Sequence, residues 1–301
     1  MGLAILSILQ SAAKGDSFHF YILDNKISAE NKKKLTQLHR EYRFGLTYVP
    51  LDERLFARCD AKRSNWTLSI FGRYLIPKVI PADKVLYLDC DVMVRGSLRP
   101  LFEEDLGTYY LAGVPDYNVI FRGKLSERFG PDFKKEEYVN SGVLLINNKK
   151  WREENLFEKL LSFSEKNASY LLWPDQDAVN VVCQKRKKML PERYNVMGYM
   201  YKPDLFLDHA RGSRISLEAK RAVIRHFHAW KKNLFVPHRD EYLALIQKSP
   251  WPQLMPKDDA KPWAWCKITG RYLWRHPFCF LTPRFYKRWK ARGTACLFMD
   301  S

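Results

Sequence analysis

The chain has 301 residues, 46% of them apolar, enough to bury a sizeable core as one large α/β domain or as one domain plus an extension. Lys and Arg number 51 against 33 Asp and Glu, a net charge of +18 that points to a polyanionic partner: nucleic acid, an anionic membrane surface or phosphorylated ligands. Six cysteines without a Cys-x-x-Cys pair argue against a zinc ribbon or disulfide framework, and no run approaches about 18 uninterrupted apolar residues, so the expectation is a soluble cytosolic protein.

The opening segment "MGLAILSILQSAAKGD" has helical periodicity over Leu3 to Ala13, is too short to span a membrane and lacks the basic start of a signal peptide. A strand is expected at Phe18 to Asp24, then a helix in "SAENKKKLTQLHREY" capped by Ser28 or Asn31, then a strand in "FGLTYVPL". A helix around Leu68 to Ile76 leads through Pro81 into the apolar run "VLYLDCDVMV", Val85 to Val94. Further strands are expected at Tyr109 to Asp116 and Ser141 to Asn148, a helix at Trp151 to Glu165, and another from near Asp177. Strands alternating with helices imply an α/β sheet, largely parallel and covered on both faces. Composition shifts near Pro250. From Lys261 onward nine basic residues interleave with Trp263, Trp265, Tyr272, Trp274, Phe278, Phe280, Phe285, Tyr286 and Trp289, against the one acid Asp300. Residues 1–248 are therefore expected to form the α/β domain and 249–301 a basic aromatic extension.

Asp89 and Asp91 interrupt the apolar run one residue apart. On a strand, positions i and i+2 share a face, so both carboxylates would project together at its C-terminal end, where open α/β sheets bind ligands. The residues alone leave two readings. A hard divalent ion, Mn²⁺ or Mg²⁺, relieves the repulsion between the pair; alternatively one Asp caps the strand end and the other is solvated.

Four segments in order, "DKVLYLDCDVMVRGSLRPLF", "YVNSGVLLINNKKWR", "WPDQDAVNVV" and "VIRHFHAWKK", resemble the bacterial lipopolysaccharide α-glycosyltransferases of glycosyltransferase family eight. The resemblance covers about Leu3 to Phe235. It implies a GT-A fold and transfer of glucose or galactose from a UDP-sugar, with retention at the anomeric carbon, to a lipopolysaccharide core or similar lipid-linked acceptor. Matched position by position, it implies that Asp89, Asp91 and His226 bind Mn²⁺, with Mg²⁺ the second choice, and that Lys232, six residues beyond His226, meets the leaving diphosphate. Arg73 would contact the donor, and Asp116 and Asn140 would surround the transferred sugar. The "DQD" of Asp175, Gln176 and Asp177 would lie under the anomeric carbon, where Gln176 is a poor nucleophile. The implied mechanism is therefore attack by the acceptor on the leaving-group face, with Gln176 supporting an oxocarbenium-like state and Asp175 holding sugar hydroxyls.

Two positions depart from the family pattern. Family members normally begin with a strand bearing an aspartate-containing segment for uracil and ribose; here the sequence opens at what resembles the following helix, "GLAILSILQSA", so weak UDP binding is expected. Ala229 and Asn233-Leu234 replace the family's glycine and Pro-Trp around Lys232. A catalytically impaired sugar- or nucleotide-binding relative is the alternative. The basic aromatic tail reads either as a packed subdomain or as a contact with the cytoplasmic leaflet, where each Lys or Arg adds about 1 kcal/mol and Trp and Tyr prefer the interface. No RRM, zinc-finger or KH signature supports a nucleic-acid partner.

Overall fold

The computed structural model describes residues 1–59, 67–202, 206, 208–227 and 237–255. In chain order the elements are α1 (Gly2–Gln10), β1 (His19–Asp24), α2 (Ala29–Gln37), β2 (Gly45–Pro50), a 3₁₀ segment (Leu68–Leu75), α3 (Ile76–Val79), β3 (Lys84–Leu88), β4 (Val92–Val94), α4 (Arg99–Phe102), β5 (Leu111–Pro115), α5 (Tyr117–Arg122) and α6 (Leu125–Phe129). There follow β6 (Val139–Asn147), α7 (Asn148–Glu153), α8 (Leu156–Asn167), α9 (Pro174–Val182), β7 (Lys187–Met189), β8 (Val196–Met197), α10 (His209–Lys220), β9 (Ile224–His226) and α11 (Arg239–Gln247). The chain divides into two compact units, Met1–His226 and Phe227 onward. Lys232 and everything beyond Met255, including the basic aromatic tail, lie outside the described residues. Among the described residues no helix is long and apolar enough to cross a membrane.

Local chemistry accounts for several boundaries. The Ser28 hydroxyl accepts from the Asn31 amide at 3.3 Å and starts α2. The expected helix at Leu68 to Ile76 is 3₁₀ as far as Leu75, and the α register starts only in α3, with Pro77 in its first turn, where a missing N–H leaves no intrahelical bond unmade. The expected helix at Trp151 to Glu165 is two helices. Asn155 sits between α7 and α8 at φ 53°, a left-handed conformation that asparagine tolerates better than most residues.

Among the described residues, three sheets carry the strands. β1 and β2 pair in parallel; β3, β6, β5 and β7 form the central sheet in that order; β4, β9 and β8 form the third. The α/β architecture with helices on both faces is as expected, but the four-stranded and three-stranded sheets are mixed rather than largely parallel. β6 runs antiparallel to both neighbours, with Leu88 opposite Val143 and Gly113 opposite Leu144. An apolar run buried on both faces looks the same in either direction, so composition could not supply the sense of β6.

Alternate residues of the central strands face two separate cores. Val143 and Leu145 of β6 with Ala112 and Val114 of β5 join Ala4 and Ile8 of α1 and Ile215 and Ala219 of α10. Leu144 and Ile146 with Leu111 join Phe71, Tyr74, Trp151, Leu160 and Val179. Each fully buried aliphatic side chain contributes about 2 kcal/mol, and a slip by one residue would exchange the faces of all of them, so the register is firmly set.

"VLYLDCDVMV" is not one strand. β3 belongs to the central sheet, whereas β4 pairs with β9, placing Val92 opposite His226. Asp89, Cys90 and Asp91 occupy the fork where the chain leaves one sheet for the other.

Candidate metal and sugar-donor site

The fork brings the two carboxylates to the imidazole. Because β4 runs beside β9, the last residue of β9, His226, lies within reach of the turn between β3 and β4. Its Nε2 is 3.2 Å from Asp91 Oδ1 and 3.9 Å from Asp89 Oδ2. One donor atom from each of Asp89, Asp91 and His226 falls within 4.8 Å of the other two, a spacing that one cation can share. Gly142 of β6 forms the wall. A Cβ at that position would overlap the His226 ring and lie 2.8 Å from Asp89 Oδ2. Glycine is needed here for close approach, and its φ is unexceptional.

Asp89 divides its two oxygens. Oδ1 accepts from the Tyr87 hydroxyl at 2.8 Å and from Arg73 Nη2 at 3.2 Å, while Oδ2 faces His226. The carboxylate is thus fixed from behind and presents one oxygen forward. Arg73 is buried and stacks over the Tyr87 ring at 4.5 Å. It donates to the Ser141 carbonyl at 2.5 Å and pairs through Nε with Asp175 Oδ2 at 3.0 Å. Burial alone would lower its pKa, but Asp175 and then Tyr87 and Asp89 hold it above the ordinary value, so it stays charged. Its partners in this structure are protein groups, which makes it a brace for Asp89 and Asp175.

The residues that the family resemblance assigns to the sugar form a second, drier layer. Asp116 caps α5 with Oδ1 on the Val119 amide at 3.2 Å, and its Oδ2 accepts from Asn140 Nδ2 at 3.0 Å and Gln176 Nε2 at 3.2 Å. Gln176 Oε1 accepts from the Ser141 amide at 2.9 Å and from its hydroxyl at 3.3 Å. Asp175 accepts the Ser141 hydroxyl at 3.2 Å; burial raises its pKa, and Arg73 opposes the rise. Asp177, the third residue of "DQD", is turned away: fully buried, it accepts from Tyr138 at 2.6 Å and from the Leu172 and Trp173 amides at 2.9 and 3.0 Å.

Asn195, a residue the sequence reading did not single out, closes the circuit. It lies fully buried just before β8, with Nδ2 2.8 Å from Asn140 Oδ1 and Oδ1 3.1 Å from His226 Nδ1. A continuous path of polar contacts therefore runs His226, Asn195, Asn140, Asp116, Gln176, Ser141, Asp175, Arg73, Asp89 and back to His226. Tyr87, Ser141 and Gly142 lie within segments that carry the family resemblance but receive no role from it, and Asn195 lies in none; the fold reveals what each of them touches.

The donor set fits a divalent cation. Two anionic oxygens and one imidazole nitrogen face a common point, with a glycine leaving room beside them. Where no metal is bound, a proton can take its place: burial pulls the His226 pKa down, but the hydrogen bond and charge of Asp91, then Asp89 and Asp116, hold it above the ordinary value. The site asks for positive charge in either case.

Comparison with known proteins identifies the family. A family model described as Glycosyl transferase family 8 matches residues 1–233. A putative glycosyltransferase of Haemophilus influenzae is 30% identical over 196 residues, which are 65% of this chain and 58% of that protein. The lipopolysaccharide 1,2-glucosyltransferase of Escherichia coli strain K12 is 24% identical over 302 residues, 96% of this chain and 88% of that one. The solved structure of the galactosyltransferase LgtC, in complex with donor and acceptor sugar analogs, superposes with a TM-score of 0.72 at 23% identity, covering 83% of this chain and 91% of that chain, and so shares the fold. The chain belongs to glycosyl transferase family 8.

Proposed function

We propose that this family 8 glycosyltransferase is a retaining hexosyltransferase that moves glucose or galactose from a UDP-sugar to a hydroxyl of a lipid-linked glycan such as a lipopolysaccharide core. The observation that carries the reading is the convergence of Asp89, Asp91 and His226 on one point beside the layer formed by Asp116, Asn140, Asp175 and Gln176. Mn²⁺ suits a site with one imidazole and two carboxylates, with Mg²⁺ the second choice. Such an ion, held by these three side chains, would supply Lewis-acid stabilisation of the charge that collects on the departing diphosphate.

The chain's own residues do the rest. Arg73 and Tyr87 hold Asp89 so that Oδ2 points forward without reorganisation, and preorganised charge of this kind is usually the largest catalytic term. Gln176 keeps its amide oriented through Ser141 and Asp116, and in this reading its dipole supports the anomeric carbon. An amide held in this way is a weak nucleophile, which favours attack by the acceptor hydroxyl on the leaving-group face, with a diphosphate oxygen taking its proton. Asp175, Asp116 and Asn140 orient sugar hydroxyls, and Lys232, by its place in the sequence, neutralises the diphosphate. The basic aromatic segment from Lys261 onward is proposed to hold the enzyme on an anionic leaflet beside its acceptor, as a peripheral protein on the cytoplasmic face.

The test is UDP release from UDP-glucose and UDP-galactose with Mn²⁺, with Mg²⁺ and with chelator. Release confined to the metal arms and to a hexose supports the reading. Equal release with chelator overturns the metal role. Tight binding of UDP-hexose without any turnover, with or without a saccharide acceptor, would make the protein an impaired binding relative, which the assembled site does not favour. Flotation with anionic vesicles tests the membrane part; a chain that stays with neutral and anionic vesicles alike, or with neither, removes it.

A further inference from the structure

We propose that Asn195 is the positioning residue that sets the His226 ring for metal binding, a role that rests on reading Asp89, Asp91 and His226 as the metal site. The argument follows donors and acceptors from groups whose roles are fixed. Asn140 Oδ1 is 3.0 Å from the Gly142 backbone amide, which only donates, and Asn140 Nδ2 is 3.0 Å from the Asp116 carboxylate, which accepts. The Asn140 amide therefore has one orientation. Its Oδ1 lies 2.8 Å from the Asn195 side chain, so Asn195 must present its NH₂ there. The Asn195 oxygen is then directed at His226 Nδ1, 3.1 Å away, and an amide oxygen only accepts. Nδ1 carries the hydrogen.

That assignment decides which ring nitrogen is the ligand. With Nδ1–H committed to Asn195, the lone pair of the neutral ring is on Nε2, the nitrogen that faces Asp91 Oδ1 and Asp89 Oδ2. Metal-bound histidines commonly hold their second nitrogen to an oxygen acceptor in this way, which fixes tautomer and rotation and raises ligand basicity. The local fold makes the arrangement stiff. Asn195 immediately precedes β8, β8 pairs in parallel with β9, and Met197 stands opposite His226, so the ladder that carries His226 starts one residue after Asn195. Asn195 is fully buried; its amide serves two neighbours and meets no solvent.

The test reads Mn²⁺ affinity of the full chain by calorimetry, without donor or acceptor, for wild type, Asn195→Leu and Asn195→Asp, with thermal midpoints alongside. Asn195→Leu removes the acceptor and is expected to weaken Mn²⁺ binding by about 10- to 100-fold. Asn195→Asp restores an acceptor for Nδ1–H and is expected to bind within about threefold of wild type, even though it loses the donor to Asn140 and melts at lower temperature. A general structural role would make both variants weak in proportion to their loss of stability. Wild-type affinity in Asn195→Leu, or equal weakness in both variants, overturns the proposal while leaving the metal reading intact. A wild-type chain that takes up no Mn²⁺ overturns the metal reading and this proposal together.

Discussion

The rim of the site and its floor are built on opposite principles. On the rim, the side chains of Asp89 and Asp91 are 26% and 34% exposed, and oxygens on both are turned toward His226. On the floor, Asp116, Asp175 and Gln176 are 5–8% exposed and satisfied by protein donors. In the proposed reading, charge on the rim meets the cation, whereas charge on the floor is already matched by protein donors that fix how it faces the sugar. The rim should therefore lose function without losing stability, and residues behind the floor should do the reverse. The largest expected effect is at Asp91→Asn, which removes an anionic oxygen from a half-exposed position. Metal-dependent UDP release should fall about 1,000-fold, the scale of a lost metal ligand, while the thermal midpoint moves by less than about 2 °C. Loss of both together would break the distinction.

Behind the floor, Asp177→Asn should show the opposite pattern. The carboxylate is buried and receives Tyr138, Arg128 and two backbone amides. An asparagine has one accepting oxygen and would aim its NH₂ at groups that already donate. A loss of about 3 kcal/mol in unfolding free energy is expected, read by urea denaturation, with Mn²⁺ affinity unchanged. Asp175 and Asp177 stand two residues apart on α9, where 3.6 residues per turn send them to opposite sides of the helix. "DQD" reads as a single motif in the sequence. Only its placement on a helix divides it into Asp175 and Gln176 on the side of the site and Asp177 in the core.

The same division separates what was legible in the sequence from what was not. Apolar periodicity located β1, β5, β6 and α9, because those segments carry strong runs bounded by turn residues. It merged β4 with β3 into one run, gave no sign of β7, β8 and β9, each three residues or fewer, and gave no direction for β6. Asp89, Asp91 and His226 were legible through a family resemblance, and the fold brings them together because β4 pairs with β9. Asn195 and Ser141 were not, since a buried amide or hydroxyl acquires meaning only from the donors placed around it. Gly142 lies between the two cases: its place in "VNSGVL" marks it, but the reason is the His226 ring against it.

Gly142 also tests whether the wall between rim and floor matters. Gly142→Ala adds one methyl where the His226 ring and Asp89 Oδ2 already stand. The ring must retreat, and Mn²⁺ should bind about 100-fold more weakly, the upper end of what disturbed ligand orientation costs. Gly113→Ala, on neighbouring β5, is the control. Its added methyl would meet Val139 and Leu144 at 3.0–3.2 Å, so it should reduce stability and leave metal affinity alone. If the two variants behave alike, the crowding at Gly142 is general packing.

The smallest expected effect concerns a cation behind the floor. Lys187 donates to the Asn180 carbonyl and side-chain oxygen, both at 3.0 Å, and Asn180 in turn holds the Val139 and Gln176 backbone carbonyls. Burial lowers the Lys187 pKa to about 8, against the pull of Cys183 and Glu137. The folded pKa lies below the unfolded value, so between about pH 8 and 10 the unfolded chain binds the proton more tightly and stability rises with pH. Below about pH 8 both states hold the proton and the slope vanishes. From pH 8 to 9.5 the contribution is about 2 kcal/mol, at 1.36 kcal/mol per unit. It should appear as a rise in the urea midpoint of wild type relative to Lys187→Met, whose curve lacks this component. A difference between the two that stays flat across that range would mean that the Lys187 ammonium is solvated, and the floor would then be wetter than its burial implies.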